Sequence, residues 1–290
     1  MDATTSVEQE VISIDTMARK IFITYADEKF ALSEKQVLKE ARVLGIFDKC
    51  IGYTPKDLPA NVKASPLMAY ARGGGYWCWK PYVIWKTLQD YPAAIVVYAD
   101  AGCVLQKGKE WDEWFKMMDS CDTLLQHYRE DVDYGWSDLY PGVQVSATQN
   151  RWAKKSVLDY YDGCFKNKKW HEQPSLWAGF VIAKGASQVV KKWYEAMLNQ
   201  PELFADPEGT EKQSTDYIAH RHDQSVLSAI AYMGVEKGWS VKIIPEVSES
   251  RADAAVVTAR RVIKPVPFKT QIVNCLKAVL GEKLYKKIHS

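Results

Sequence analysis

The sequence has almost no excess of charge of either sign. Its 290 residues carry 38 lysines and arginines against 36 aspartates and glutamates, which gives a formal net charge of +2 at pH 7. Non-specific binding of nucleic acid depends on a strong positive field, and a chain so nearly balanced does not produce one. We therefore exclude nucleic acid as a principal partner.

Paired cysteines and long apolar runs are also missing. The six cysteines, at positions 50, 78, 103, 121, 164 and 275, include no Cys-x-x-Cys pair, so neither a zinc site nor a disulfide framework is indicated. We expect reduced thiols in a cytoplasmic protein. No apolar stretch approaches the roughly twenty residues that span a bilayer. Residues 1–18 lack the basic start and apolar centre of a secretory signal, and we expect a ragged lead-in there.

What the sequence does contain is a repeated alternation of strand and helix patterns. Residues 21–25 form an apolar run of strand formers, and residues 33–45 follow with helical spacing, with Ser33 placed to cap the helix and Gly45 to end it. Further strands are predicted at 47–53, 93–99, 123–127, 177–183 and 241–245, and further helices at 81–90, 110–119, 151–162, 186–200 and 222–233. The alternation predicts a Rossmann-like α/β/α sandwich with a mainly parallel central sheet, as one domain over residues 19–266.

A glycine-rich basic block stands out before the 81–90 helix. It reads Arg72-Gly-Gly-Gly-Tyr-Trp-Cys-Trp-Lys80-Pro81. Such a turn lets backbone amides approach a diphosphate, while Arg72 binds it in a bidentate manner and Lys80 adds a point charge. The block is neither a Walker loop nor a dinucleotide fingerprint, so a flexible turn is the alternative. We predict phosphate contacts from Arg72, Gly73 and Lys80.

A single carboxylate follows the apolar strand predicted at 93–99. Asp100 is followed by Ala101 and Gly102, small residues that leave room beside the carboxylate for a ribose, a metal ion or a sugar. The alternative is a strand-end turn in which Asp100 caps the next segment. A second small-residue step, at Gly179, would let a ligand approach the backbone closely.

The run His220-Arg-His-Asp-Gln-Ser225 opens the helix predicted at 222–233. An ionised Asp223 and the amide of Gln224 at a helix N-terminus can hold sugar hydroxyls, an attacking hydroxyl or a metal, with His222 beside them. The alternative is that Asp223 only caps the helix.

These blocks, in this order, resemble GT-A-fold glycosyltransferases of the capsular polysaccharide and lipopolysaccharide biosynthesis type. The matching blocks are 72–81, 98–103, 178–180 and 220–225, within residues 20–245. The resemblance implies an enzyme that moves a sugar from a nucleoside diphosphate, UDP- or GDP-linked, to a hydroxyl of a growing or lipid-linked glycan. A non-catalytic carbohydrate- or nucleotide-binding protein on the same scaffold, and a sugar nucleotidyltransferase, stay open.

The same resemblance implies roles for individual residues. Asp223 and Gln224 would be catalytic, with Asp223 either accepting the proton of the acceptor hydroxyl in an inverting reaction or positioning the substrates in a retaining one. The donor would be bound by Arg72, Gly73, Lys80, Asp100, Ala101, Gly102, Gly179 and His222. Asp100 stands where these enzymes keep an Asp-X-Asp metal motif, but the third position is Gly102. Mn²⁺ or Mg²⁺ would be held by Asp100 with ligands from elsewhere, or would be dispensable.

The C-terminal residues 267–290 have a helical pattern of their own. Apolar residues recur at helical spacing between lysines, which predicts a basic amphipathic helix over 268–288. Such a helix either packs on the catalytic domain or makes a peripheral contact with an anionic membrane near a lipid-linked acceptor.

Overall fold

A computed structural model gives the structure of the protein over residues 19–132, 134–139 and 146–264. The lead-in expected at 1–18 and the basic helix expected at 268–288 lie outside the described residues. Within those described ranges, no helix is long and apolar enough to cross a bilayer.

The elements alternate along the chain as the sequence predicts. The strands are β1 (Lys20–Tyr25), β2 (Lys49–Tyr53), β3 (Ile95–Ala99), β4 (Cys103–Leu105), β5 (Thr123–His127), β6 (Phe180–Lys184), β7 (Val241–Pro245) and β8 (Val256–Thr258). The helices are α1 (Ala31–Leu44), α2 (Ala60–Lys63), α3 (Gly73–Tyr76), α4 (Trp79–Asp90), α5 (Glu110–Met117), α6 (Trp136–Leu139), α7 (Gln149–Trp152), α8 (Lys155–Asp162), α9 (Gln188–Asn199) and α10 (Asp223–Glu236). Short 3-10 turns lie at Glu28–Phe30, Pro55–Asp57, Pro66–Ala69, Lys168–Glu172 and Pro201–Phe204.

The central sheet has six strands in the order β2-β1-β3-β6-β5-β7. β2, β1 and β3 pair in parallel, as do β5 and β7, whereas β6 is antiparallel to both of its neighbours. The predicted mainly parallel sheet is therefore confirmed, with one reversed strand. β4 and β8 form a separate antiparallel pair.

Helices cover both faces of this sheet. In β1, Ile21 and Ile23 belong to one core that includes residues of α4, α9 and α10, while Phe22 belongs to a second core that includes residues of α1 and α5. Successive residues of a strand point to opposite faces, so a continuously apolar strand supplies both cores. The predicted α/β/α sandwich is confirmed.

Several chain segments meet at the carboxyl edge of the parallel strands. β1 ends there with Tyr25 and β3 with Ala99, and the reversed β6 starts beside them because Phe180 pairs with Ala99. β5 runs in the same direction as β3 and ends on the same side with His127. In open α/β sheets, ligands bind in the crevice outside this edge.

The helix predicted at 151–162 is broken in two. α7 ends at Trp152 and α8 starts at Lys155. The Trp152 carbonyl, which a continuous helix would use internally, instead accepts hydrogen bonds from the Arg221 amide and the Ser225 hydroxyl. The break therefore anchors the segment that leads into α10.

The predicted cap of the first helix is also wrong. α1 starts at Ala31, and the Ser33 hydroxyl donates to the Arg261 carbonyl and accepts from the Ile263 amide, so this side chain fastens a distant segment instead. Gly45 ends the helix with φ 68°, as predicted.

Three strands start later than predicted. β2 starts at Lys49 and not at 47, β3 at Ile95 and not at 93, and β6 at Phe180 and not at 177. Residues 178 and 179 form a turn before β6, in which the Gly179 carbonyl accepts from the Asp100 amide.

Candidate active site

The glycine block folds into a single left-handed turn. Five consecutive residues have positive φ, namely Gly73 at 60°, Gly74 at 57°, Gly75 at 96°, Tyr76 at 53° and Trp77 at 58°. Each residue with a side chain pays roughly 1–2 kcal/mol for this conformation, which glycine adopts freely. The three glycines therefore let the chain reverse its helical hand just before α4.

The turn uses its own backbone amides. Those of Gly74 and Gly75 donate to the carbonyls of Ala71 and Tyr70, and that of Tyr76 donates to the carbonyl of Arg72. The amides of Gly74 and Gly75 are therefore already engaged within the turn, and the phosphate contact of Gly73 stays a prediction. The turn also presents the Arg72 side chain to the cavity and precedes α4, in which Lys80 is buried.

Neighbouring glycines of this turn should respond differently to substitution by alanine. At Gly73 an added Cβ would lie 2.4 Å from the Trp77 ring, whereas at Gly74 the nearest of the neighbouring atoms, Trp79 Nε1, would be 3.6 Å away. Both substitutions place alanine in left-handed conformation, at about 1–2 kcal/mol. We expect Gly73→Ala to destabilise the protein further, by an additional 1–3 kcal/mol or so. Urea unfolding of the two variants measures the difference, and equal losses would contradict the contact with Trp77.

Lys80 lies at the centre of a buried charged cluster. Its Nζ is 3.2 Å from Asp100 Oδ1 and 3.0 Å from Asp223 Oδ2, and it donates to the Ala178 carbonyl at 3.2 Å. The Lys80 side chain is only 3% exposed. Burial alone would lower the pKa of Lys80, but the two carboxylates outweigh it and raise that pKa above its ordinary value. The ammonium is therefore charged at neutral pH. We call Lys80, Asp100 and Asp223 the charged triad.

Asp100 is the member of the triad that faces the cavity. It follows β3 directly, and its side chain is 37% exposed. Its Oδ1 also accepts a hydrogen bond from the Tyr98 hydroxyl at 2.5 Å. Tyr98 is two residues earlier in the same strand, so both side chains point to one face. The carboxylate is thus held by a tyrosine and a lysine, and its other oxygen is not engaged by them.

Asp223 is the buried member of the triad, with a side chain only 5% exposed. It is the first residue of α10, where the helix dipole favours a negative charge. Burial nevertheless raises the pKa of Asp223 to about 6, against the opposing effect of Lys80. A carboxylate with such a pKa is mostly ionised at pH 7 and is still basic enough to accept a proton.

His222 precedes Asp223 in a strained conformation, with φ 51° and ψ −118°. Its Nδ1 lies 2.9 Å from the Phe204 carbonyl, which can only accept, so Nδ1 carries the proton. The ring stacks on Tyr76 of the glycine turn, with centroids 4.2 Å apart. Burial, reinforced by the charge of Arg72, lowers the pKa of His222 to about 4, so the ring is neutral at pH 7. His222 thus joins the glycine turn to the start of α10.

There is little space for a larger residue at two other predicted positions. A Cβ on Gly179 would lie 2.5 Å from Trp177 Nε1, and a Cβ on Gly102 would lie 3.2 Å from the Arg261 amide nitrogen. Gly102 also accepts a hydrogen bond from that amide. The backbone of residues 260–261 crosses over Gly102 and therefore leaves little room for a second aspartate at this position.

All these groups open into one cavity of about 400 Å³ at the carboxyl edge of the sheet. Every site residue predicted from the sequence lines it, namely Arg72, Gly73, Lys80, Asp100, Ala101, Gly102, Gly179, His222, Asp223 and Gln224. The cavity is also lined by aromatic rings, those of Tyr25, Trp77, Trp79, Tyr128 and Trp177 among them. Its volume lies within the range of pockets that hold small organic ligands, and its walls combine aromatic rings with charged side chains of both signs.

Several solved structures resemble this chain. A glycosyltransferase involved in the glycosylation of the major capsid of PBCV-1 is similar with a TM-score of 0.34 and 9% identity, over 63% of this chain and 69% of that one. Mouse xyloside xylosyltransferase 1, in its apo form, is similar with a TM-score of 0.37 and 8% identity, over 78% and 84%. The bifunctional IspDF from Campylobacter jejuni has a TM-score of 0.36 and 12% identity, over 81% of this chain and 51% of its own length. No protein-family model and no curated protein matches the sequence. With TM-scores below 0.5, these likenesses assign no function.

The residues around Asp100 do not fit a divalent cation. Among the described residues, no group of three or more His, Cys, Asp or Glu side chains is placed to hold a metal ion. The nearest carboxylates, Asp100 and Asp223, both contact the Lys80 ammonium. Mn²⁺ and Mg²⁺ need several oxygen ligands, and the buried Lys80 ammonium between Asp100 and Asp223 repels a dication from this pair.

Sequence reasoning missed three groups of the site: Arg221 and Glu249 line the cavity, and the fully buried Tyr98 hydrogen-bonds to Asp100. Tyr98 was detectable, because it lies two residues before Asp100 in a strand. Arg221 belongs to the block at 220–225 but had no role assigned; its guanidinium lies 4.2 Å from the centroid of the Trp152 ring. Glu249 accepts a hydrogen bond from Tyr128 and comes from an irregular segment after β7, where no pattern in the sequence marks it.

Proposed function

We propose that this chain is a glycosyltransferase of the GT-A type that moves a sugar from a nucleoside diphosphate to a hydroxyl of a glycan acceptor. One observation carries the proposal: four blocks spread over residues 72–225 converge on one cavity at the carboxyl edge of the sheet. The same four blocks carry the resemblance to these enzymes. A cavity of about 400 Å³ with aromatic walls suits the base and the sugar of such a donor.

In the proposed reaction the acceptor hydroxyl oxygen forms a bond to the anomeric carbon. The bond from that carbon to the diphosphate oxygen breaks, and its electron pair leaves with the nucleoside diphosphate. In an inverting reaction the hydroxyl proton passes to the Asp223 carboxylate. In a retaining reaction the proton passes to the departing diphosphate oxygen, and Asp223 holds the two substrates in register. The anomeric configuration of the product distinguishes these courses.

In this proposal Lys80 orients Asp223, and Asp100 orients the donor sugar. Lys80 keeps the buried Asp223 ionised and fixes its carboxylate from 3.0 Å away. Asp100, which is held by Tyr98 and Lys80 but still open to the cavity, accepts hydrogen bonds from hydroxyls of the donor sugar. Gln224 is half-buried beside them and offers an amide to the acceptor.

Activity should rise with pH through about 6. The pKa of Asp223 is about 6, so the carboxylate loses its basic form as the pH falls below that value. We expect kcat/KM at pH 5 to be about one tenth of its plateau above pH 7, because the ionised fraction falls tenfold per unit below the pKa. Rates measured from pH 4.5 to 8.5 check this. A profile that is flat between pH 5 and 7 would remove Asp223 as the base.

The direct test is a panel of UDP-, GDP-, dTDP- and CMP-sugars, read by thermal stabilisation of the purified full chain and by release of the nucleotide in the presence of glycan acceptors. A glycosyltransferase is stabilised by one donor class and releases its nucleotide. Stabilisation without release by any acceptor favours a binding protein. Consumption of a nucleoside triphosphate with release of pyrophosphate favours a nucleotidyltransferase. No stabilisation by any donor would contradict the proposal.

A further inference from the structure

The cations that line the cavity differ in what they already contact. Lys80 is committed to Asp100 and Asp223 and is almost fully buried. Arg260 is 68% exposed and lies 3.7 Å from the Glu249 carboxylate, and the Lys29 ammonium lies over the Phe30 ring. Lys80 is therefore not free to bind a ligand diphosphate.

Arg72 and Arg221 are placed differently. The Arg72 side chain is 55% exposed, and its closest carboxylate, that of Asp206, is 3.9 Å away, which is a loose pair. Arg221 has no carboxylate within 4.0 Å among the described residues; its guanidinium stacks over the Trp152 ring. Both line the cavity.

Hydrogen bonds of its backbone amide hold Arg221 in position. Its amide donates to the Trp152 carbonyl and also to the Ser225 hydroxyl, so it is tied to α7 and to the first turn of α10. Arg72 precedes the glycine turn, which is held against the same segment by the stacking of Tyr76 on His222. Two arginines in segments held in this way thus lie near enough to His222 to act on it electrostatically, and all three line the same cavity.

We infer that the diphosphate of the donor is bound by the Arg72 and Arg221 guanidiniums, and that no divalent cation takes part. This inference rests on the proposed function. Planar guanidiniums bind phosphate oxygens in a bidentate manner and remain charged throughout. As the bond to the anomeric carbon breaks, the diphosphate gains negative charge, and both arginines stabilise it. Lys80 supplies the positive charge between Asp100 and Asp223, so these two carboxylates do not form a free pair for a dication.

The test measures the dissociation constants of UDP, GDP, dTDP and ADP by calorimetry, in EDTA and again with Mn²⁺. The variants are Arg221→Gln, Arg221→Lys and Arg72→Gln, with Arg42→Gln as the matched control, because Arg42 is exposed on α1 outside the cavity. The wild type should bind one diphosphate equally well in EDTA and in Mn²⁺. Arg221→Gln and Arg72→Gln should each weaken binding by about tenfold or more, Arg221→Lys should lie in between, and Arg42→Gln should change nothing.

The outcomes separate the inference from the proposed function. Binding that is lost in EDTA and restored by Mn²⁺ overturns the inference and leaves the glycosyltransferase proposal intact. Binding in EDTA that Arg221→Gln does not weaken, in a variant with the wild-type circular dichroism spectrum, overturns the role of Arg221. Should the wild type bind no nucleoside diphosphate under either condition, the proposed function fails together with the inference.

Discussion

Replacing Asp223 by asparagine is expected to lower kcat for sugar transfer by about 10²–10⁴-fold, the usual contribution of a general base. The asparagine has nearly the same shape, but it cannot accept a proton at neutral pH. Burial raises the pKa of Asp223 to about 6, which means that the folded state disfavours the ionised carboxylate. The substitution removes this buried charge, and the favourable interaction that it loses is the contact with Lys80. We therefore expect a folded protein with strongly reduced activity. Initial rates of nucleotide release at saturating donor measure the effect.

Two controls make the result specific. Asp119→Asn removes an exposed carboxylate just beyond α5, far from the cavity lining, and should leave kcat unchanged. Asp100→Asn keeps the buried Lys80–Asp223 pair and should act mainly through KM for the donor, since Asp100 faces the cavity. If Asp100→Asn abolishes kcat while Asp223→Asn does not, the two carboxylates have the opposite roles.

The architecture was predictable because its signals are local. The continuously apolar run predicted as a buried strand at 93–99 contains β3 at 95–99, and α10 follows from apolar spacing after a charged start. The predictions failed where distant segments decide the local structure. α7 and α8 are separate helices because the Trp152 carbonyl accepts a hydrogen bond from the Arg221 amide, in the segment before α10. No sequence signal near residue 152 predicts this contact.

The candidate site was predictable by residue type, but its arrangement was not. Asp100 and Asp223 were identified as carboxylates at the ends of regular elements, which is where functional groups lie in α/β folds. The sequence does not indicate that Lys80 contacts both carboxylates. This contact depends on the tertiary structure, in which the left-handed turn at residues 73–77 precedes the helix that carries Lys80. The sequence predicts a phosphate contact for Lys80, and in the structure its ammonium contacts the carboxylates of Asp100 and Asp223.

Replacing Lys80 by methionine is expected to lower the free energy of unfolding at pH 7 by about 3–5 kcal/mol, as when one partner of a buried ion pair is removed. Methionine fills the volume, but Asp223 then lies buried without a counter-ion and next to a second carboxylate. Without the lysine, the pKa of Asp223 rises further above its unfolded value. The folded state then binds more protons than the unfolded state, so stability falls as the pH rises. We expect the deficit to be smaller at pH 5 than at pH 8, and urea unfolding at both pH values measures it.

The matched control is Lys86→Met in the same helix, where the lysine pairs with Asp90 one turn away on a partly exposed surface. Such a pair contributes less than about 1 kcal/mol, so this variant should remain near wild-type stability. Adding Asp223→Asn to Lys80→Met should recover most of the loss, because it removes the buried charge. Adding Asp100→Asn should recover less, since that carboxylate reaches water. If Lys80→Met and Lys86→Met have equal free energies of unfolding, the charged triad does not stabilise the site. If Asp223→Asn and Asp100→Asn restore the stability of Lys80→Met equally, burial does not distinguish the two carboxylates.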